Sequence, residues 1–318
     1  MIDGLFLVLP DSLLLDIAGP AEAFRLANQH LQRRGRPAAF RLRYAGPEPQ
    51  VASSVGVALT GLEALPASLH RPTWLVLLGR PGDASDVVRR QRAWLAARDW
   101  LSRCVAPQLV AGAQLKLLTV CAGALLAADA GLIGSRRVTT HHELLESLAR
   151  MSPGAAVQAN RVFVEDGPLL SSAGITAGID LALHLITQTC GAAVASAVAQ
   201  VMVAFTRRGP HDPQRSPLLE HRDHLHPAVH RVQDAVCAEP ALDWTAERLA
   251  QAAHVTPRHL ARLFRAHAGL SPRGYVEHVR SALAQHALTR GAAAATAAQI
   301  AGFGTPRRLR QALARGTR

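Results

Sequence analysis

A five-residue phrase occurs twice in the last third of the chain: Thr256-Pro257-Arg258-His259-Leu260 and, 49 residues later, Thr305-Pro306-Arg307-Arg308-Leu309. Each phrase is a helix start. A Thr side chain accepts hydrogen bonds from the N–H groups that a first helical turn leaves open, and Pro forfeits nothing at the first helical position. After the first phrase, Leu260, Leu263 and Phe264 recur at helical spacing and leave Arg258, His259, Arg262 and Arg265 on the opposite face. Gly269 is placed to close that helix in a left-handed cap, and Ser271-Pro272 opens another. Upstream, Thr245–Ala253 reads as a shorter amphipathic helix, with His254-Val255 as a tight turn. Helix, short turn and arginine-studded second helix is the pattern of a helix-turn-helix offering its second helix to a major groove. A solvated helix pair whose arginines only confer solubility gives the same local signal, so one copy decides little. The second copy, with Gly302-Phe303-Gly304 as its turn and Leu313 in the place of Phe264, carries Arg307, Arg308 and Arg310. A long helix over Pro272–Leu288 between the copies would set two reading helices roughly 34 Å apart, in successive grooves of one duplex.

Charge supports that reading. The chain carries a net +12, yet from Pro227 onward 13 Arg stand against 5 Asp and Glu, a net of +8 in the last 92 residues. An arginine-rich genome would spread the excess evenly; concentration on the helix-turn-helix segment is the expected phosphate-neutralising footprint. Double-stranded DNA is therefore the expected macromolecular partner, with Arg258, His259 and Arg262 and then Arg307, Arg308 and Arg310 as base-edge candidates. Arg265 and Arg280 are expected at phosphates or in solvent.

A length of 318 residues suits two domains. The division expected is an α/β domain over 1–205, a linker rich in Pro, His and Arg over 206–226, and the all-α DNA-reading domain over 227–318. Four Cys without metal spacing or disulfide density suggest thiols in a reducing cytoplasm. The apolar N-terminus lacks a basic lead-in and carries Asp3, Asp11 and Asp16, which argues against a signal peptide. Ala177–Phe205 is long and apolar, but Asp180, His184 and Gln188 interrupt it, so helices covering a sheet are expected and not a membrane span.

In the first two thirds, apolar runs at Leu5–Leu9, Phe40–Tyr44, Trp74–Leu78 and Gln114–Val120 read as strands covered on both faces. Helices are expected between them over Pro20–Leu31, Asp83–Cys104, Ala124–Ala130 and His142–Met151. Arg161–Val164 and Leu169–Ser172 bracket Glu165-Asp166-Gly167-Pro168 as a hairpin, and two helices fill Ile175–Phe205. The alternation predicts a doubly wound, flavodoxin-like, mostly parallel sheet.

Cys121 falls where a strand runs straight into a helix, in LLTVCAGALLAADAGL. Its sulfur would project at the carboxyl edge of the sheet, with helix N–H groups aimed at a thiolate and the small Ala122 and Gly123 easing the bend. Those N–H groups suit an anionic ligand oxygen equally well. A buried, inert cysteine is the plain alternative. Asp16, directly after the first strand, reaches the same edge and is expected protonated beside a sulfur. His141 follows Cys121 by twenty residues and is placed to orient or deprotonate it. As metal ligands His141 and His142 point apart and lack a third partner, so no metal and no cofactor is expected.

Taken with these residues, the last ninety or so positions resemble the AraC-type DNA-binding domain, with AGFGTPRRLRQAL at its second recognition helix. The departures are Ala297 for the helix anchor that Leu249 supplies in the first unit, Leu313 for a usual Phe, and His254 for a usual turn Gly. Residues 1–205 resemble the PfpI/class I glutaminase-like superfamily, and more closely the sensor domain of GlxA-type regulators. The matching stretches are DIAGP at 16–20, VCAGALLAADAGL at 120–132, RRVTTHH at 136–142 and FVEDGPLLSSAGITAGIDLALHLI at 163–186. His142, where the family commonly has Trp, and Arg80, in a turn usually smaller, depart from it. The resemblance implies Cys121 as elbow thiol, Asp16 as neighbouring acid, His141 as nearby imidazole, and Gly79 and Ala122 as backbone N–H donors around a small effector. It implies a cytoplasmic, homodimeric transcription regulator, in sense an activator, that senses an amine- or amino-acid-like metabolite. A Cys121-dependent amidase, hydratase or glyoxalase-like enzyme is the alternative, and oxidation of Cys121 as a redox signal a third.

Overall fold

In the computed structural model the central sheet begins with β1 (Ile2–Leu7) and continues through β2 (Phe40–Gly46), β3 (Glu63–Ala64), β4 (Thr73–Leu77), β5 (Leu115–Val120), β6 (Phe163–Asp166) and β7 (Leu169–Ser172). The structure describes residues 1–316 apart from 70, 89–90, 112–113, 175, 205–207, 211, 215, 217, 219 and 290. The strand order is β6-β7-β5-β4-β1-β2-β3, parallel throughout except for the β6–β7 hairpin. Leu5, Leu75, Leu117 and Leu169 stand in one register row across four strands, all almost wholly buried. A sheet covered on both faces needs such unbroken apolar runs, because neither face meets water. The fold class is the doubly wound α/β arrangement that the alternation of elements predicts.

Helix α1 (Leu14–Gln32) starts six residues before the sequence suggests, with Pro20 inside it. The Leu13 N–H donates to the Gly79 carbonyl at 2.9 Å, a tertiary bond that no local pattern announces. Asp16 consequently sits in the first helical turn and not in a loop after β1. The span expected as one helix over Asp83–Cys104 is broken into Ala84–Val87 and Arg92–Trp100, continuing through a wide π-type turn at Leu101–Val105 into Ala106–Ala111. α2 (Gly123–Asp129) follows β5 directly; α3 (Ala177–Cys190) and α4 (Ala192–Val201) complete the covering layer. His184 Nε2 lies 2.8 Å from Glu165 Oε2 and ties α3 to β6. His184 and Gln188, which interrupt this apolar stretch, therefore hold helix to sheet, and no described helix is long and apolar enough to cross a membrane.

Two compact units emerge, Met1–Gln214 and Arg215–Arg318. The stretch expected as a linker over 206–226 is shared between them. Arg208 pairs with the buried Asp180 of α3 at 2.7 Å, whereas Arg222 pairs with Asp234 of the second unit. Residues 206–207, where that linker begins, lie outside the described residues. The second unit contains α5 (Pro227–Ala238), α6 (Ala246–Ala253), α7 (Pro257–Ala268), α8 (Pro272–Thr289), α9 (Ala294–Ile300) and α10 (Pro306–Gly316). Its interior divides in two. Val229, Val232, Val236, Leu249, Leu260, Phe264, Tyr275 and Val279 form one core; Ala284, Ala297, Ala298, Ala301, Phe303, Leu309 and Ala312 form the other.

Candidate functional site

Cys121 is the hinge between β5 and α2, and its backbone is left-handed at φ 53°. Two bonds hold this uncommon conformation: the Cys121 N–H donates to the Ser172 carbonyl at 3.0 Å, and Thr140 Oγ1 donates to the Cys121 carbonyl at 2.8 Å. Strain of this kind persists only where the surroundings over-determine it. Asp16 is fully buried, and its Oδ2 accepts from the Gly79 N–H at 2.9 Å. A Cβ on Gly79 would stand 2.8 Å from that oxygen and 2.9 Å from the Cys121 Cβ, so no side chain fits there and acid and thiol face one another across the glycine. The expected grouping of Asp16, Gly79, Cys121 and Ala122 is thus brought to one place at the carboxyl edge of the sheet.

The electrostatics differ from the expectation. Burial, reinforced by the Asp16 charge, pushes the Cys121 thiol up to about 12, and the bond from the Ala122 N–H opposes this only weakly. Burial therefore works against the thiolate that the N-terminus of the seven-residue α2 would favour. Burial likewise raises Asp16 to about 7, against the smaller pull of the Gly79 N–H. The sign follows: a carboxyl raised in the folded state contributes stability that is complete below about pH 4 and lost as pH rises through about 7. Gly79 also departs from its expected role, since its N–H is committed to Asp16 and is not offered to a ligand.

His141 is half-buried and its Nδ1 lies 3.4 Å from Glu143 Oε2, with its ring 4.3 Å from that of His142. Burial, then His142, lowers its pKa. The residue of this stretch that bonds the Cys121 backbone is Thr140, which the sequence reading passed over, together with Ser172. No local pattern marked Thr140, which lies beyond the short strand Arg137–Val138 and is buried only by the fold. Arg80 is nearly buried; it reaches Asp11 Oδ2 at 3.3 Å and the Val87 carbonyl at 3.2 Å. With Asp11, Pro81, Gly82 and Asp86 it lines a cavity of about 280 Å³.

In the second unit each repeated phrase opens a helix as its residues dictate. Thr256 Oγ1 accepts from the His259 N–H, and Thr305 Oγ1 from the Arg308 N–H, both at 3.3 Å. Gly269 closes α7 at φ 76°. Arg258, Arg262, Arg265, Arg307, Arg308 and Arg310 are exposed, and His259, partly exposed, has its Nδ1 3.1 Å from an Arg262 nitrogen. Arg280 is a correction: it is held internally, donating to the Pro240 and Leu242 carbonyls at 2.8 Å, and braces the loop before α6.

A helix-turn-helix domain model matches residues 249–318, and a DJ-1/PfpI family model matches residues 109–188. The chain thus carries a helix-turn-helix domain after a DJ-1/PfpI-type domain, and it is similar to HTH-type transcriptional regulators. It is 29% identical to the HTH-type transcriptional regulator GlxA of Rhizobium meliloti over 89% of this chain and 81% of that protein. To the regulator CdhR of Pseudomonas aeruginosa it is 33% identical, over 48% of this chain and only 45% of CdhR. A shorter match, 40% identical over 31% of this chain and 42% of the other, is to isonitrile hydratase of Pseudomonas putida. Among solved structures, an AraC family transcriptional regulator from Pseudomonas putida aligns over 64% of this chain and all of its own at a TM-score of 0.51 and 20% identity, a likeness of fold.

Proposed function

We propose that this protein is a sequence-specific, cytoplasmic DNA-binding regulator, an activator working as a homodimer, whose sheet unit senses a small amine- or amino-acid-like metabolite. One observation carries the reading: two helices headed by the same Thr cap present exposed arginines from two separate cores. Arg258, His259 and Arg262 read base edges for the first unit, Arg307, Arg308 and Arg310 for the second, and Arg265 neutralises phosphate. Pairing two such chains raises DNA affinity through effective concentration.

The effector is held by Asp16, Cys121, Ala122 and His141. A cationic amine beside Asp16 favours its carboxylate and expels the proton that burial retains. The Asp16 Oδ1, buried and without a hydrogen-bond partner among the described residues, is the acceptor for that amine. An effector shifts the DNA-reading state only by its difference in affinity between the two states.

The test is sequencing of the genomic fragments retained by the full-length protein. A narrow set of promoter sites is expected, with retention falling steeply as salt rises; equal retention of random duplex would overturn the reading. A second reading, a Cys121-dependent enzyme, draws on the elbow geometry and the hydratase match. It is disfavoured because burial, reinforced by Asp16, opposes formation of the thiolate nucleophile. Turnover of isonitriles, amides or glyoxals, abolished by Cys121→Ser, would install it. The same protonated thiol is a poor redox sensor, and DNA binding unaffected by peroxide is expected.

A further inference from the structure

Outside both sites, Glu220, His221 and His278 bring one donor atom each to a common point, all within 4.8 Å of one another. Glu220 and His221 precede α5, and His278 projects from the middle of α8, so the cluster joins two segments far apart in sequence. His278 Nε2 and Glu220 Oε2 stand 3.2 Å apart. That is close to the spacing of about 3.4 Å between donors placed tetrahedrally around an ion at roughly 2.0–2.1 Å. The His221 and His278 rings meet edge to face, with centroids 5.2 Å apart and planes at 81°.

The approach of His221 is built into the backbone. His221 is left-handed at φ 65°, and its carbonyl accepts from Gln233 Nε2, on a wholly buried side chain of α5, at 2.7 Å. Arg222, next in the chain, is neutralised by its pair with Asp234 on the same helix. The cation nearest in sequence is therefore already balanced, and the segment is clamped to α5 while its ligands turn toward α8.

We propose that Glu220, His221 and His278 form a zinc site. Two imidazoles and one carboxylate are a donor set that zinc accepts with its fourth position open to water. All three side chains are only partly buried, which leaves room for that water. The ion would tie the segment entering the DNA-reading unit to α8. That helix supplies Tyr275, Val276 and Val279 to the first core and Ala284 to the second, so the tie would stiffen the element that spaces the two reading helices.

The test uses the full-length protein, stripped with a chelator and titrated with Co²⁺ as a spectroscopic probe, then with Zn²⁺ in competition. One Co²⁺ per chain with visible ligand-field bands, displaced by Zn²⁺, is expected. Glu220→Gln and His278→Gln should each weaken binding by about tenfold or more. His286→Ala, an exposed histidine one helical stretch further along α8, should leave it unchanged. Zinc should also raise the thermal midpoint in a concentration-dependent way, and His221→Ala should abolish that rise while folding normally in chelator. Absence of stoichiometric binding, or affinity that survives Glu220→Gln and His278→Gln, would overturn the site.

Discussion

The first reading unit is anchored by Leu249, Leu260, Phe264 and Tyr275, whereas its counterpart relies on Ala297, Ala298, Ala301, Phe303 and Leu309. At the surface both open on the same Thr cap at the same 3.3 Å and carry exposed arginines, but only Arg258 and Arg307 stand at equivalent positions, with Gln311 and Ala314 in the places of Arg262 and Arg265. The turns diverge as well. The first is closed by His254 in the left-handed region at φ 56°, the second by Gly302 at φ 73°. The two units thus share a cap and a basic surface, and differ in their interiors and in where most of their arginines stand. An alanine core buries less apolar area per helix, so the second recognition helix is held with less energy than the first.

The widest gap should appear on truncating the equivalent core positions. Phe264→Ala is expected to destabilise the first unit by about 3–5 kcal/mol, and Leu313→Ala, half-buried, the second by only about 1 kcal/mol. Hydrogen exchange resolved over α7 and α10 measures both, and equal losses would erase the asymmetry. The turns come next. A Cβ on Gly302 would lie 2.5 Å from the Ala241 Cα, besides forcing a side chain into positive φ. Gly302→Ala should therefore cost about 1–3 kcal/mol of local stability, while His254→Gly changes it by less than about 1 kcal/mol, relief of strain offsetting added chain entropy.

On DNA, Arg262→Ala is expected to lose roughly 1–3 kcal/mol and to blur one base position. Arg310→Ala should lose less, because the weaker second core holds its helix less rigidly. Binding to a panel of single-base operator variants separates these, and an Arg262→Ala protein with unaltered preference would remove that base contact. The smallest effect should be the most even: Thr256→Ala and Thr305→Ala are each expected to cost about 1 kcal/mol of helix stability. A marked inequality there would mean that the two caps, and not only the two cores, have diverged.

Much of this was legible beforehand. The repeated cap phrase, the helical stripe Leu260, Leu263, Phe264 and the apolar strand runs are local patterns, and each formed the element expected of it. The placement of Cys121 at a strand-to-helix bend was equally readable, since Val120 ends an apolar run and Gly123 follows at once. Other features depended on partners distant in the chain. The early start of α1 answers to Gly79, and Arg280 is occupied by carbonyls some forty residues earlier. Thr140 acquires its role only from the fold that carries it to the Cys121 carbonyl.

The chain by itself determined most of the strands and the capped helices, that a basic duplicated tail follows an α/β domain, and that Cys121 and Asp16 could meet at the sheet edge. Hydrophobic period, caps and charge are properties of neighbouring residues, so they survive reading in one dimension. Tertiary structure alone decided how far burial raises the Cys121 thiol, the commitment of the Gly79 N–H, the convergence of Glu220 and His221 on His278, and the unequal cores. Each depends on how much water the folded chain excludes and on which remote groups it brings within a few ångströms.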